Sequence, residues 1–382
     1  MKAALQKIFQ QHFEPYAKAH PQPLHKHKAA HAIQDCHTAA MGGHIERCPE
    51  GHIERIHYNA CHHRTCPQCG ALATERWLDK QKARLLDCDH YHAIFTLPHY
   101  LIDLWWANPR LMADLLFHTA TDTLKILLKD EQFLGAEVGI IASLHTWGRT
   151  MPRHPHLHCL VTGGGWDGKG FKPVTGGYLL PFQVVRKLFR GKYVAGLRKA
   201  LVEGQLSCPR GQTPQSLEKL FDRLARKVKW NVHIRERYPH GNGVMTYLAR
   251  YIRGGPIKDQ AIFSINDKQV MFGYTDHRDG KKKTFTLAPR QFVQRVLWHM
   301  PEPRQHRIRY YGLYHPDPQA RAKRAKCREH LDQVPEQDPE PITPEEYLQR
   351  IGHPELLCCP ICGRPLERVD VQAPQAPKCR PP

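Results

Sequence analysis

No apolar run in this chain of 382 residues approaches the roughly 18 to 20 consecutive residues that a membrane-spanning helix needs. The opening stretch MKAALQKIFQQHFEPYAKAH spaces its apolar residues as an amphipathic helix does and lacks the continuous apolar centre of a secretory signal. The expectation is a soluble, cytoplasmic chain with no membrane partner. Acidic residues are also scarce: 36 Asp+Glu stand against 56 Lys+Arg and 27 His, a formal net charge of +20. Such an excess repels itself unless an anion is near, so nucleic acid is the natural partner. The charge is uneven, with a basic tract over Arg304–Arg328 and an acidic, proline-rich one over Asp332–Glu346. Internal repeats are absent. So is the Lys-Ser/Thr that would make a phosphate-binding P-loop of Gly163-Gly164-Gly165, and a plain turn is expected there.

Cysteine, in contrast, is plentiful. Thirteen cysteines in a reducing compartment point to metal rather than disulfides, because several stand in Cys-x-x-Cys pairs. RCPEGH supplies Cys48 and His52, and CHHRTCPQC supplies Cys61, Cys66 and Cys69. Two ligand pairs separated by a short spacer form the layout of a zinc ribbon, and zinc prefers four tetrahedral sulfur or nitrogen donors. The expected set is Cys48, His52, Cys66 and Cys69, with Cys61 the main rival for the fourth place and Cys36 a more distant one. A further pair, Cys359-x-x-Cys362, has the same turn chemistry and no evident partner pair. Cys327, Cys358 and Cys379 are possible completions.

The segments HAIFTLP, VGIIASLHTW and HLHCLVTGG read as strands, with a helix from PRLMADLLFHTATDTLKILLKD between the first two. Its proline sits where a helix start tolerates one. Residues 182–253 show helical spacing, and short strands return after Gly254-Gly255-Pro256. The fold class predicted is α+β with adjacent strands. The expected divisions are a helix plus zinc-binding domain over 1–88 and a catalytic domain over 89–315 with a helical insertion at 182–253. A basic, then Pro-rich and acidic, tail over 316–382 follows, poorly packed except around its cysteine pair.

Residues 154–165 read HPHLHCLVTGGG. Along a strand, alternate side chains share a face, so His156 and His158 project together while Leu157 points into the core. Two imidazoles can hold a divalent ion and leave positions open for a phosphate oxygen. They can equally be two polar residues on a solvated strand face. His145, in LHTWG on the strand expected alongside, is the candidate third ligand. In VMTYLARYIR, Tyr247 and Tyr251 lie one helical turn apart on one face, a spacing that also occurs in ordinary packing. Beside a two-histidine site in a basic chain they suggest chemistry. A phenolate can attack a DNA phosphate and hold the broken end, with Arg250 and Arg253 close in sequence to favour the anion.

These motifs together, HPHLHCLVTGGG preceded by LHTWGR, YLARYI, and the CHTAAMGGH and YNACHHRTCPQC segments, resemble the two-tyrosine HUH transposases of the IS91 type. HUH stands for histidine, hydrophobic residue, histidine. The likeness runs over roughly residues 30–315, through HAIFTLP, GKKKTFTLAPRQFVQRVLWHM and RIRYYGLY. It implies a rolling-circle transposase with an N-terminal zinc-binding domain and an HUH endonuclease domain, an antiparallel five-stranded sheet with helices. By the same resemblance His156 and His158 bind Mg²⁺ or Mn²⁺, structural Zn²⁺ occupies the cysteine block, and Tyr247 and Tyr251 are the nucleophiles that form a 5′-phosphotyrosine. The partners are single-stranded DNA at the element ends and target DNA, and the location is nucleoid-associated. One departure stands out: the family block commonly reads Cys-x-x-Cys-Gly-His where this chain has Cys48-Pro-Glu-Gly-His52, so one thiolate is missing.

The tract RQHRIRYYGLYH alternates cations with aromatics. Arg304, Arg307 and Arg309 are expected to contact phosphates and Tyr310 and Tyr311 to stack on unpaired bases. QARAKRAKCR reads as a further phosphate-binding arm. The competing readings are a zinc-containing DNA-binding protein without strand chemistry, and a rolling-circle replication initiator or relaxase.

Overall fold

A computed structural model describes residues 3–238, 256–276 and 278–374. Two helices, α1 (Ala4–Ala19) and α2 (Leu24–Asp35), precede a small antiparallel ribbon of β1 (Gly43–Arg47) and β2 (Glu54–Tyr58). After α3 (Ala71–Arg84) the chain enters the main sheet with β3 (His90–Thr96). A short α4 (Ile102–Ala107) and a long α5 (Pro109–Lys129) follow. Pro109 starts α5, at a position whose backbone N–H would lack a helical partner in any case.

β4 (Glu137–Trp147) and β5 (Arg153–Trp166) then form a long hairpin, extended by β6 (Phe171–Pro173). Helices α6 (Phe182–Val202) and α7 (Pro214–Arg226) lead to β7 (Asn231–Tyr238), and α7 opens on a capping box in which Thr213 and Ser216 satisfy each other's backbone N–H. Three short strands, β8 (Ile262–Ile265), β9 (Val270–Thr275) and β10 (Lys282–Leu287), make a separate antiparallel sheet. The helix α8 (Pro289–Trp298), the edge strand β11 (Ile308–Gly312), α9 (Pro318–His330), α10 (Pro344–Arg350) and β12 (Glu367–Gln372) complete the chain.

The main sheet is antiparallel and six-stranded. Five strands lie in the order β11-β4-β5-β3-β7, and β6 pairs with β5 off that path. Strand alternation splits its side chains cleanly. Tyr91, Ala93 and Phe95 of β3, Ile140, Ala142 and Leu144 of β4, and Leu157, Cys159 and Val161 of β5 join the core under α4 to α7. At about 25 cal/mol per Å² of apolar surface removed from water, this side holds the sheet rigid. The opposite face carries His90 and His92, Ser143 and His145, and His156 and His158.

Three sequence expectations change here. Residues 231–238 are strand β7 rather than helix: Val232 and Ile234 pack on the core while Asn231 and His233 alternate outward, so the period is two. Gly163-Gly164-Gly165 is not a turn, because β5 runs through it to Trp166. A Cβ at Gly164 would stand 2.4 Å from the Phe171 ring and one at Gly165 2.5 Å from the Glu137 carbonyl oxygen. Glycine there lets β4 and β6 close on β5. Finally, packing does not stop at residue 88. Ile8, Phe9, Phe13 and Ile33 of the N-terminal helices share a core with Ile257, Ile262, Phe272, Phe292 and Val296. The tail returns as well, β12 pairing with β1 from Gly43↔Gln372 to Arg47↔Glu367.

Candidate active site and metal centres

The β4–β5 register sets His145 directly opposite His156. His158, two residues on, falls on the same face. The three imidazoles offer ligand nitrogens that all lie within 4.8 Å of one another. His145 and His158 are buried, and His156 is half-buried. Sheet register alone produces this gathering, and Leu157, wholly buried behind it, anchors the strand.

Neighbours orient the rings. His156 Nδ1 lies 2.7 Å from the His154 carbonyl oxygen. A carbonyl only accepts, so Nδ1 carries the proton and Nε2 keeps its lone pair. His158 Nδ1 is 2.8 Å from His92 Nε2. Trp147 stacks on His145 with centroids 4.9 Å apart. Burial favours the neutral form of two of these rings. It pushes His156 down to about 4, and it pushes His145 well below its ordinary value, helped by His156, Arg307 and His92. Neutral imidazole is the form that binds a metal. Ser143, directly across from His158, buries a hydroxyl with no hydrogen-bond partner among the described residues.

The cysteines fall into two groups rather than one. Cys36, Cys61, Cys66 and Cys69 gather beside the core of α1, α2 and α8, with Cys61 and Cys69 Sγ atoms 3.4 Å apart. Hydrogen bonds from Cys36, Cys61 and Cys66 push the Cys69 thiol far below its ordinary value while those three thiols are pushed up, so the group favours one thiolate among three thiols. Cys48 and His52 lie instead with Cys359 and Cys362. The expected set of Cys48, His52, Cys66 and Cys69 is therefore divided. Cys36 and Cys61 both join Cys66 and Cys69, and two cysteines from the far end of the chain stand beside Cys48 and His52.

A profile of the family described as "Putative transposase" matches residues 139–323. A second, "Transposase zinc-binding domain", matches residues 8–97. The chain is 34% identical to "Putative transposase y4qJ" of Sinorhizobium fredii, over 93% of this chain and 92% of the relative. It is 33% identical to "Transposase for insertion sequence element IS801" of Pseudomonas savastanoi pv. phaseolicola, over 73% of this chain and 67% of the relative. This chain belongs to the IS91 family of transposases. It has the family's N-terminal zinc-binding domain. No solved structure matches it, and among the described residues no helix is long and apolar enough to cross a membrane.

The remaining expected DNA contacts are mostly engaged inside the transposase. Arg307 donates to the His299 carbonyl and lies over the Trp147 ring. Arg309 pairs with Asp114 and covers Phe117. Tyr310 accepts a hydrogen bond from Trp77 Nε1 at 3.1 Å and sits beneath Arg84. Tyr311 is half-buried against the main core. These rings are packed rather than presented as a stacking platform, because β11 is the edge strand that α3 and α5 cover. Arg304 is exposed. In the basic arm, Arg324 is buried, paired with Glu336 at 2.8 Å and donating to the Leu313 carbonyl, and Arg328 donates to the carbonyls of Ala83 and Leu85. Tyr247, Tyr251, Arg250 and Arg253 lie outside the described residues.

The site also contains residues that sequence spacing did not single out. His92 supports His158, and its signal was available: His90 and His92 alternate in HYHAIFT on the same face. Cys36, expected only as a more distant rival for the fourth zinc place, stands in the same group as Cys61, Cys66 and Cys69.

Proposed function

We propose that this transposase nicks and rejoins single-stranded DNA at its element ends through a 5′-phosphotyrosine intermediate, with a divalent ion held by His145, His156 and His158. The observation that carries this reading is the convergence of three histidine ligand nitrogens within 4.8 Å of one another, with burial favouring the neutral form of His145 and His156. The fit favours Mn²⁺ over Mg²⁺, because imidazole is a softer donor than the carboxylate and water that suit Mg²⁺. The cluster's three donors include no carboxylate. When bound, the ion would polarise the non-bridging oxygens of the scissile phosphate.

The protein's own part is positional. His92 and the His154 carbonyl fix the ring orientations, a supporting role that commonly matters almost as much as the ligands themselves. Tyr247 or Tyr251 supplies the nucleophile. Its oxygen bonds to phosphorus as the bond to the 3′ oxygen breaks; the phenol proton passes to solvent and the 3′ oxygen takes one up. DNA is left with a free 3′-OH and its 5′ phosphate on tyrosine. Attack by a 3′-OH on that ester reverses the step and releases the phenol. Two tyrosines allow one end to be held while the next is cut.

The described residues on either side of the tyrosine segment lie at different ends of the main sheet. β7 ends at Tyr238, opposite His90, whereas Ile257 shares its core with Met151 of the β4–β5 turn, at the His156 end of the sheet. For the zinc-binding domain, Cys36, Cys61, Cys66 and Cys69 are the proposed ligands of one structural zinc, four thiolates closing a tetrahedron.

The test is incubation of the full chain with labelled single-stranded oligonucleotides carrying element ends and Mn²⁺, read on a denaturing gel. A covalent protein–DNA band is expected and should vanish in Y247F/Y251F, which still binds DNA. An undiminished band in that double variant overturns the proposal.

A further inference from the structure

The two ends of the chain meet at four donors. Cys48 Sγ lies 3.5 Å from Cys362 Sγ and 3.6 Å from His52 Nδ1, and Cys359 Sγ lies 4.0 Å from that same nitrogen. All four ligand atoms fall within 4.8 Å of one another. Tetrahedral zinc with Zn–S bonds of about 2.3 Å sets neighbouring sulfurs about 3.8 Å apart, so the spacing suits the ion without rearrangement.

The backbone builds both halves alike. Cys48-Pro-Glu-Gly51-His52 turns through Gly51 at φ 75°, whose N–H donates to the Cys48 carbonyl at 2.8 Å. Cys359-Pro-Ile-Cys362-Gly363 turns through Gly363 at φ 72°, whose N–H donates to the Cys359 carbonyl at 2.8 Å. Glycine is needed at both because the left-handed region is costly for other residues. Across the two turns Arg364 pairs with Glu50 at 2.6 Å, and Arg55 donates to the Leu356 carbonyl. The tail reaches this position along α3, where Arg76 donates to the Ile342 carbonyl and Arg350 pairs with Asp79. β12 then adds to β1 and makes a three-stranded sheet.

We infer that Cys48, His52, Cys359 and Cys362 form a second zinc site, separate from the four-cysteine group, that clasps the C-terminal segment onto the N-terminal domain. Neither half can close the site alone: the first contributes one thiolate and one imidazole, the second two thiolates. The matched zinc-binding domain ends at residue 97, so half of this site lies far outside it. The clasp completes the small sheet and joins segments more than 300 positions apart. Zinc binding releases the thiol protons and fixes a segment whose exposed strand has little apolar burial of its own. The inference is independent of the strand-transfer reading, since no DNA chemistry enters its test.

Zinc content of the purified full chain decides it. Two zinc ions per chain are expected in the wild type, one in C359S/C362S, and two in C358S, whose thiol is outside the cluster. In the double variant, limited proteolysis after α10 should be at least tenfold faster. One zinc in the wild type, or two in the double variant, overturns the inference. Should the double variant fail to fold, cobalt substitution of the wild type still decides. A sum of four-thiolate and three-thiolate-plus-imidazole spectra is expected, and a four-thiolate spectrum alone contradicts the clasp.

Discussion

The histidine trio and the split cysteine–histidine group are both tight gatherings of metal donors, yet they are assembled in opposite ways. One hairpin makes the trio: alternation along β5 pairs His156 with His158, and the register with β4 adds His145. The split group needs the whole chain to fold first, because its halves stand at positions 48–52 and 359–362. A local centre can serve chemistry, since rigid sheet fixes its geometry. A centre built from distant segments serves closure, since its binding energy goes into holding them together.

Variants can break this comparison at its strongest point first. H156A/H158A should reduce metal-dependent cleavage by at least about 10³-fold, given that a bound ion supplies several kcal/mol of transition-state stabilisation. Its zinc content should be unchanged; a fall in zinc would mean that the centres are not separate. The thiolate sites should respond in stability instead. C61S removes a donor packed beside the core of α1, α2 and α8, and should lower Tm by roughly 10 °C or more, because structural zinc contributes folding free energy directly. C362S, at an exposed position, should lower it by less than half as much in the same thermal scan. Equal shifts would contradict the distinction between core and closure.

Acid should act on the sheet through its buried histidines. Burial holds His90 at about 4 and His299 at about 3, against hydrogen bonds to the Cys88 and Met151 carbonyls that work the other way. An unfolded histidine titrates near 6.5. With the folded value depressed, the unfolded chain takes up protons first. This contribution is therefore intact above about pH 6.5 and lost as pH falls toward about 4, by up to about 3 kcal/mol for one such residue. Urea midpoints at pH 7.5 and 4.5 check it, and a chain equally stable at both would contradict it. The smallest effect concerns His92. H92A leaves the ligands in place and should weaken Mn²⁺ binding by about 10- to 100-fold, as titration calorimetry would show; unchanged affinity would remove His92 from the site.

The same contrast explains what could be read in the residues. Alternation is a local signal, so the strands at β3, β4 and β5 and the shared face of His156 and His158 were legible before any fold was known. β7 was hidden only because the helical spacing of α6 and α7 was carried too far along the chain. Partnership between distant segments has no such signal. CCPIC looks orphaned until β12 is seen beside β1, and Cys36 is only a distant candidate until α2 carries it to Cys61. Net charge is silent in a similar way. A basic composition does indicate an anionic partner, but it does not say which cations face outward, and Arg307, Arg309, Arg324 and Arg328 turn out to be held by carbonyls, carboxylates and rings of the protein itself. Tyr310 likewise belongs to packing against Trp77.

The claim that three imidazoles of one hairpin and its face gather a single ion can be measured directly. Mn²⁺ bound to the full chain should show pulsed-EPR couplings from three imidazole nitrogens, two in H145A, and none that persist in H156A/H158A. A wild-type spectrum of oxygen ligands alone would contradict the account.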